Sequence, residues 1–354
     1  MIPNLITIVQ RLTLKATTKS KSPEGPTRLT ADSSGDSPDE YLKANFQKGK
    51  PLPDLVSKSL PVITGKILSP DGRPVSGAFA RVITLYGESK YVRADKDGNF
   101  ELKIKSFEYD IETEKRRDII KLLAFDPHGP LAGIVDVDVS DKSKYSDINI
   151  ELAEHKPDWI EQEVHKIIEP QNDKMLAKMG FDKEELEKNY AAEKGMDLEQ
   201  LKAKDQNKEY EMAPEFDGGT WFNSDSDSLE DFRGQYVLLD FWFIGCGPCE
   251  RGIPSLKLVH ELFRERGFSV ISVHIAGQPP ESVKQFCDAR GMNFPLVVDG
   301  ADEKILKAYK PHGVEGFPTY LLINPKGEVV PADLHQQKIE TIRKYMLLKD
   351  TKAP

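Results

Sequence analysis

Residues 237–249 decide the fold and read Val237-Leu-Leu-Asp-Phe-Trp-Phe-Ile-Gly-Cys246-Gly-Pro-Cys249. Up to Ile244 the stretch is apolar except for Asp240, and such a short aromatic and aliphatic run is typical of a strand buried on both faces of a mixed or parallel sheet. The run ends at Gly245, and the residues from Glu250 onward predict a helix. Strand, tight turn and helix therefore meet at the first cysteine.

The two cysteines lie where the predicted helix begins. Unpaired backbone N–H groups and the positive end of the helix dipole favour a thiolate there, and the thiolate is the attacking species in disulfide exchange. The spacing lets Cys249, one turn further in, attack a mixed disulfide formed by Cys246. Pro248 suits the first helical turn because it has no N–H to leave unpaired. The pattern favours a redox-active pair.

Two other interpretations of the Cys-x-x-Cys pattern are weaker. Zinc needs four ligands, whereas Cys287 is the only other cysteine and no His-x₃₋₅-His pair occurs in the sequence. A purely structural disulfide across two residues would stabilise the fold only weakly, because so short a loop removes little chain entropy. Cys287 itself is expected to be a small buried hydrophobe on a helix, with a resolving role as the alternative.

Several segments around the pair carry a family resemblance. They are Asp240-Phe-Trp-x₃-Cys246-Gly-Pro-Cys249, Gly316-Phe-Pro-Thr319, Ala213-Pro-Glu-Phe216, and the run from Ser228 to Asp240. Over about residues 211–345 the chain resembles the thioredoxin superfamily, and more narrowly the TlpA/ResA-like thiol–disulfide oxidoreductases, which are related to the AhpC/TSA peroxiredoxins. The resemblance implies an α/β thioredoxin-like fold, a central mixed sheet flanked by helices, with chemistry at the cysteines and no metal or cofactor.

The resemblance also implies roles for residues near the pair. Asp240 is the one charge inside a core strand, and burial should raise its pKa because the charged carboxylate is disfavoured there. A raised pKa suits a proton acceptor for Cys249; a hydrogen-bonded structural aspartate is the alternative. Pro318 matches the family's cis-proline, which faces the disulfide, and Phe317 before it is expected to offer backbone hydrogen bonds to the substrate.

The glycine before the first cysteine departs from the family pattern. Many relatives have tryptophan there, so Gly245 is expected to leave Cys246 more open and to affect substrate preference. Gly247 and Pro248 complete the expected substrate-binding residues. The same Gly-Pro dipeptide occurs in thioredoxin, whose potential is about −270 mV, against about −120 mV for the oxidant DsbA. We therefore expect exchange on the reducing side.

At 354 residues the chain is too long for one thioredoxin-like domain, and its composition changes along its length. Residues 1–56 are predicted to be a flexible tether, because residues 17–41 within them are rich in Ser, Thr, Pro, Gly and Asp and have almost nothing to bury. Residues 57–153 predict an all-β sandwich, residues 154–210 a charged helical linker, and residues 211–354 the thioredoxin-like domain. The chain is thus expected to be multidomain.

The sandwich prediction rests on about seven short strands separated by turn residues, with residues 108–117 as a charged loop. Gly65-Lys-x₃-Pro-Asp-Gly72 and Asp95-x-Asp-Gly98-x-Phe100 resemble the carboxypeptidase regulatory-like domain. That resemblance implies a spacer or binding module. Calcium loops are a minor alternative, because ordinary turns use the same Asp-Gly pairs and a calcium site needs six or more converging oxygens.

The net charge and hydropathy of the chain limit the kinds of partner that we expect. A net charge of −9 argues against nucleic acid or an anionic membrane surface, and no apolar run is long enough for a transmembrane segment. The expected partners are protein disulfide or dithiol clients and an upstream electron donor. The resemblance implies the periplasm or cell envelope; the first sixteen residues make a poor export signal, so the cytoplasm is the alternative.

Two other functions stay open. The first is a cell-envelope adaptor whose β-sandwich is the main functional module. The second is a thiol peroxidase, which is less favoured because Cys246 lacks the Pro-x₃-Thr/Ser-x₂-Cys setting of peroxiredoxins.

Overall fold

The computed structural model describes most of the chain from residue 62 to residue 350. Within that range it leaves out residues 85–90, 105–108, 111–114, 117, 179, 194, 198, 201–209, 276, 331, 333 and 335–337. The predicted tether, residues 1–56, lies outside the described residues. Among the helices that are described, none is both long enough and apolar enough to cross a membrane.

The N-terminal part is a β-sandwich, as the turn spacing predicts. Its strands are β1 (Val62–Leu68), β2 (Phe79–Val82), β3 (Val92–Arg93), β4 (Asn99–Lys103), β5 (Tyr109–Asp110), β6 (Lys115–Arg116), β7 (Ile119–Phe125), β8 (Leu131–Asp138), β9 (Ile148–Glu151) and β10 (Ala153–Glu154). One sheet has the strand order β4-β1-β9 and the other has the order β10-β8-β7-β2-β3. Side chains from both sheets, such as Ile67, Leu102 and Leu122, form one apolar core between them.

The charged insert at residues 108–117 differs from the prediction of a loop. Its strands β5 and β6 pair antiparallel, with Tyr109 opposite Arg116. Charged residues dominate the insert, so it has no alternation of apolar and polar side chains from which strands could be predicted.

Two helices follow the sandwich, α1 (Trp159–Lys178) and α2 (Lys183–Glu193). Helix α1 buries Ile160, Val164 and Ile168, whose spacing of four residues places them on one face. These three belong to the same apolar cluster as the C-terminal part, so the predicted linker is packed along its first helix. His155 is half-buried and stacks on Trp159, with ring centroids 3.7 Å apart.

The C-terminal part is built on a mixed sheet. Its elements are β11 (Thr220–Phe222), β12 (Tyr236–Trp242), α3 (Gly247–Phe263), β13 (Phe268–His274), α4 (Pro280–Ala289), β14 (Leu296–Val298), α5 (Lys304–Tyr309), β15 (Thr319–Ile323), β16 (Val329–Val330) and α6 (Lys338–Asp350). The strand order is β11-β14-β13-β12-β15-β16. Strand β13 runs parallel to β12 and β14, whereas β15 runs antiparallel to β12. Strand β11 has no counterpart in the sequence-based prediction, because three residues carry no readable period.

Strand β12 is buried on both faces, as the apolar run predicts. Successive side chains of a strand point to opposite faces. Leu238 and Trp242 contribute to the cluster that contains both cysteines, whereas Leu239 and Phe241 contribute to the cluster on the other face. By this alternation the Asp240 side chain lies on the face of the cysteines.

The sandwich packs against the C-terminal part through a buried ion pair. Arg81 Nε on β2 donates to Glu340 Oε1 on α6 at 2.5 Å, and both side chains are almost fully buried. Tyr91 Oη donates to the other carboxylate oxygen, Oε2, at 2.6 Å. Apolar side chains surround this contact, because Phe79 and Phe125 of the sandwich share a cluster with residues of α6.

A second charged residue of α6 also binds the sandwich. Arg343 is buried and donates to the backbone carbonyls of Asp126 at 2.7 Å and Gly129 at 2.5 Å. These carbonyls belong to the turn between β7 and β8. Helix α6 therefore holds a sandwich strand and a sandwich turn through buried hydrogen bonds.

We predict that Arg81→Met lowers the free energy of unfolding by about 3–5 kcal/mol, because it leaves the Glu340 carboxylate buried without its cation. Urea denaturation of the full chain measures the change. The matched control is Arg93→Ala, which removes an exposed pair with Glu261 between the same two parts and should cost less than about 1 kcal/mol. Equal losses for the two variants would contradict the prediction.

Candidate active site

The cysteine pair lies at the N terminus of α3, where the sequence places it. Cys246 and Cys249 form a disulfide, with their Cα atoms 5.3 Å apart. Cys246 is the N-cap residue in an extended conformation, and its sulfur accepts a hydrogen bond from the Cys249 backbone N–H at 3.3 Å. The same donor and the helix dipole would stabilise a thiolate at Cys246.

The surface around the pair differs in part from expectation. Cys246 is only 5% exposed and Cys249 only 4%. The first cysteine is therefore buried, although the glycine before it predicted a more open position. However, a Cβ atom added at Gly245 or Gly316 would meet no atom within 4 Å. The disulfide is therefore shielded from solvent, while the space beside both glycines is open.

The remaining predicted substrate-binding residues surround this opening. Gly247 and Pro248 are exposed, and Phe317 and Pro318 are half-buried. The Phe317–Pro318 peptide is cis, the geometry that the resemblance implies. Phe243 is 37% exposed and meets the edge of the Phe317 ring, with ring centroids 5.6 Å apart. The two rings give the site an apolar rim.

Asp240 is buried on the strand that leads to the pair. It accepts a hydrogen bond from Ser272 Oγ on the neighbouring strand at 3.4 Å. Burial raises its pKa from 3.8 to about 7, while the charge of Lys338 and the Ser272 hydrogen bond act in the opposite direction. The direction of this shift agrees with the sequence-based expectation, and it leaves the carboxyl able to hold or release a proton near neutral pH.

Lys338, from the first turn of α6, is the cation that acts on Asp240. It is 1% exposed, its Nζ lies 3.0 Å from Ser255 Oγ on α3, and it stands 4.0 Å from the ring centroid of Tyr320. Tyr320 is the residue directly opposite Asp240 on β15. The Tyr320 hydroxyl comes so close to α3 that a Cβ at Gly252 would lie 2.5 Å from it.

His274 supports the loop before the pair. It is fully buried at the end of β13, and its Nε2 accepts a hydrogen bond from the Ile244 backbone N–H at 3.2 Å. Its ring meets Trp242 edge-on, with centroids 4.9 Å apart. Burial lowers the pKa of His274 to about 4, so the imidazole is neutral and can keep accepting this bond.

Cys287 is fully buried on α4, as expected. Burial is the main reason that its pKa rises to about 12. A thiol with so high a pKa forms little thiolate near neutral pH and is a poor nucleophile.

Lys338 and His274 are functional candidates that the sequence did not reveal. A lysine in the first turn of a helix is unfavourable with the helix dipole, and this was a weak signal that Lys338 has another partner. His274 ends an apolar strand and carries no such signal, since only the fold brings it to Ile244.

The fold and the disulfide site together define a protein of the thioredoxin superfamily: a mixed sheet flanked by helices, with a Cys-Gly-Pro-Cys pair where a central strand meets a helix. The Redoxin family model matches residues 213–346. Thiol-disulfide oxidoreductase ResA from Halalkalibacterium halodurans is 32% identical over 124 residues, which cover 35% of this chain and 68% of the relative. The chain therefore belongs to the TlpA/ResA-like thiol–disulfide oxidoreductases.

A further relative and a solved structure are also similar to the chain. ResA from Geobacillus kaustophilus is 38% identical over 101 residues, 28% of this chain, and the chain spans only 55% of that relative's length. Among solved structures, the thioredoxin domain of a thiol-disulfide oxidoreductase from Bacteroides vulgatus is 29% identical, with a TM-score of 0.35, covering 38% of this chain and 96% of that one.

We predict that Asp240 makes the oxidised protein less stable as the pH rises from about 4 to about 7. The folded-state pKa is raised, so the folded protein binds the proton more tightly, and the stability that this contributes below pH 4 is lost as the pH rises through 7. Urea denaturation across this range should show a steeper fall for the wild type than for Asp240→Asn. Parallel curves for the two proteins would contradict the assignment.

Proposed function

We propose that the protein is a thiol–disulfide oxidoreductase that reduces protein disulfides through Cys246 and Cys249. The observation that carries this proposal is the disulfide at the N terminus of α3, on the same sheet face as a buried carboxyl whose pKa lies near 7.

The reduced pair would act in two steps. In the first, the Cys246 thiolate attacks one sulfur of a client disulfide, so that a mixed disulfide forms and the other client sulfur leaves as a thiolate. The Cys249 N–H and the α3 dipole favour the attacking thiolate.

In the second step Cys249 attacks the Cys246 sulfur. Its thiol must lose a proton as it attacks, and the Asp240 carboxylate is the proposed acceptor because its pKa lies close to neutrality. The second client sulfur leaves and takes up a proton, so the client is reduced and the protein ends in the disulfide form that is observed here. An upstream dithiol donor would restore the reduced pair by the reverse exchange.

The client would bind along the opening beside the disulfide. Its extended backbone could approach over Gly245 and Gly316 and hydrogen-bond to the backbone at Phe317, while its apolar side chains contact Phe243 and the Phe317 ring. The family resemblance supports protein clients and a place of action in the cell envelope.

We predict that Cys246→Ser abolishes insulin reduction and that Cys249→Ser accumulates a mixed disulfide with its client, because the second step is removed.

The reduction potential of the wild-type pair should lie nearer to about −270 mV than to about −120 mV. Glutathione equilibration measures it. Cys287→Ser is the control and should leave both results unchanged; full insulin reduction by Cys246→Ser would reject the proposed function.

We predict that Phe243→Ser raises KM for a protein client several-fold and leaves kcat nearly unchanged, because the ring contributes binding area and takes no part in the exchange. Initial rates against client concentration measure both constants. The matched control is Val62→Ser, another exposed apolar side chain, which lies on the sandwich. A fall in kcat with KM unchanged would contradict a role in client binding.

A further inference from the structure

The first turn of α6 makes buried polar contacts on two sides. Lys338 and Glu340 are two residues apart, and side chains with that spacing point to different sides of a helix. The Lys338 side chain reaches into the C-terminal part, and the Glu340 side chain reaches the sandwich. One turn of helix therefore connects the two parts.

On the inner side, this turn reaches the surroundings of Asp240. Lys338 Nζ lies between Ser255 of α3 and the ring of Tyr320. Tyr320 is the direct neighbour of Asp240 across β12 and β15. The Lys338 ammonium thus shares a neighbour with Asp240 and interacts electrostatically with this carboxyl, the proposed proton acceptor.

On the outer side, the same turn is fixed by the sandwich. Arg81 binds one carboxylate oxygen of Glu340 and Tyr91 binds the other. A carboxylate held at both oxygens has little freedom to rotate, and a buried pair cannot exchange its partners for water without a large cost. The position of Glu340, and with it the first turn of α6, depends on the sandwich.

We propose that the β-sandwich tunes the redox centre through this turn: the Arg81–Glu340 pair fixes the first turn of α6, and that turn holds the Lys338 ammonium beside Asp240. The sandwich thereby has a role in the chemistry that is transmitted through α6. The inference rests on the proposed function, because only that function gives Asp240 a part in disulfide exchange. The effect of the Arg81–Glu340 pair on Asp240 can nevertheless be measured in the oxidised protein.

The groups facing Asp240 come from each element packed against it. Ser272 of β13 donates a hydrogen bond to Asp240, Tyr320 of β15 lies opposite it, and Cys287 of α4 and Lys338 of α6 interact with it electrostatically. Cys249 of α3 belongs to the apolar cluster on the same face of the sheet. Lys338 supplies the positive charge in this set, and an adjacent positive charge favours the carboxylate. Moving or removing this ammonium should therefore make Asp240 harder to ionise.

The titration of the Asp240 carboxyl, followed by NMR of the oxidised full chain with ¹³C-labelled aspartate, tests the link. Asp240→Asn identifies the signal. Lys338→Met should move the midpoint upward by about one pH unit. The double replacement Arg81→Met with Glu340→Leu removes the ion pair without leaving a buried charge, and it should move the midpoint upward as well.

Combining all three replacements should give no larger shift than Lys338→Met alone, because the ion pair acts through the lysine. Arg93→Ala, which removes the exposed contact between the same two parts, should leave the midpoint unchanged. Circular dichroism and urea denaturation establish that each variant is folded. Tyr91→Phe removes a single hydrogen bond to Glu340 and is therefore a milder test of the same contact. It should shift the midpoint in the same direction as the ion-pair replacement.

The results of these titrations distinguish failure of the link between the sandwich and Asp240 from failure of the proposed function. If Lys338→Met moves the midpoint and neither the ion-pair replacement nor Tyr91→Phe does, the sandwich does not tune the centre. If Lys338→Met has no effect either, the lysine does not act on Asp240 and the proposal fails altogether. If the midpoints shift as expected but the wild type exchanges no disulfides, the link stands and the proposed function fails.

Discussion

The proposed exchange reaction depends on a carboxyl group buried inside an apolar strand. Water would stabilise the charged form of Asp240 strongly, and the interior replaces that water with little more than the Ser272 hydroxyl and the Lys338 ammonium. The partial compensation leaves the neutral and charged forms close in free energy at neutral pH. A carboxyl with a stronger partner would stay charged throughout, and one with no partner would stay neutral; neither could take up a proton and return it within one reaction cycle.

Helix α6 explains why the sandwich and the C-terminal part form one packed unit. Its inner face carries Ile339 and Ile342 of the shared core, and its polar residues bind the sandwich strand and turn. A buried ion pair adds little net stability compared with apolar residues of the same volume, because desolvation offsets most of the attraction. It does demand one geometry, however, since a shifted partner leaves a charge buried without compensation. The apolar contacts hold the two parts together, and the Arg81–Glu340 pair fixes the position of the sandwich against α6.

The sequence predicted those features of the fold and site that residues close together in the chain determine. The strand, turn and helix at Cys246 follow from a run of apolar residues, a glycine and a proline, all close together in the chain. The raised pKa of Asp240 follows from one charge in that run. Arg81 and Glu340 are separated by 259 positions, and the contacts of Lys338 and His274 cross several elements. No pattern in one segment predicts such contacts, because the partners lie far apart in the chain and only the fold brings them together.

The burial of the disulfide bears on the kind of client that the proposed function requires. With so little exposed area on either cysteine, a client segment would reach the pair most easily along the backbone at Gly245 and Gly316. Both glycines leave space where a side chain would otherwise stand, and an extended chain fits such a space better than a bulky surface does. The rings of Phe243 and Phe317 are uncharged. Under the proposed function, recognition at this rim would therefore depend on backbone shape and apolar contact, and a client would offer its disulfide in an extended segment.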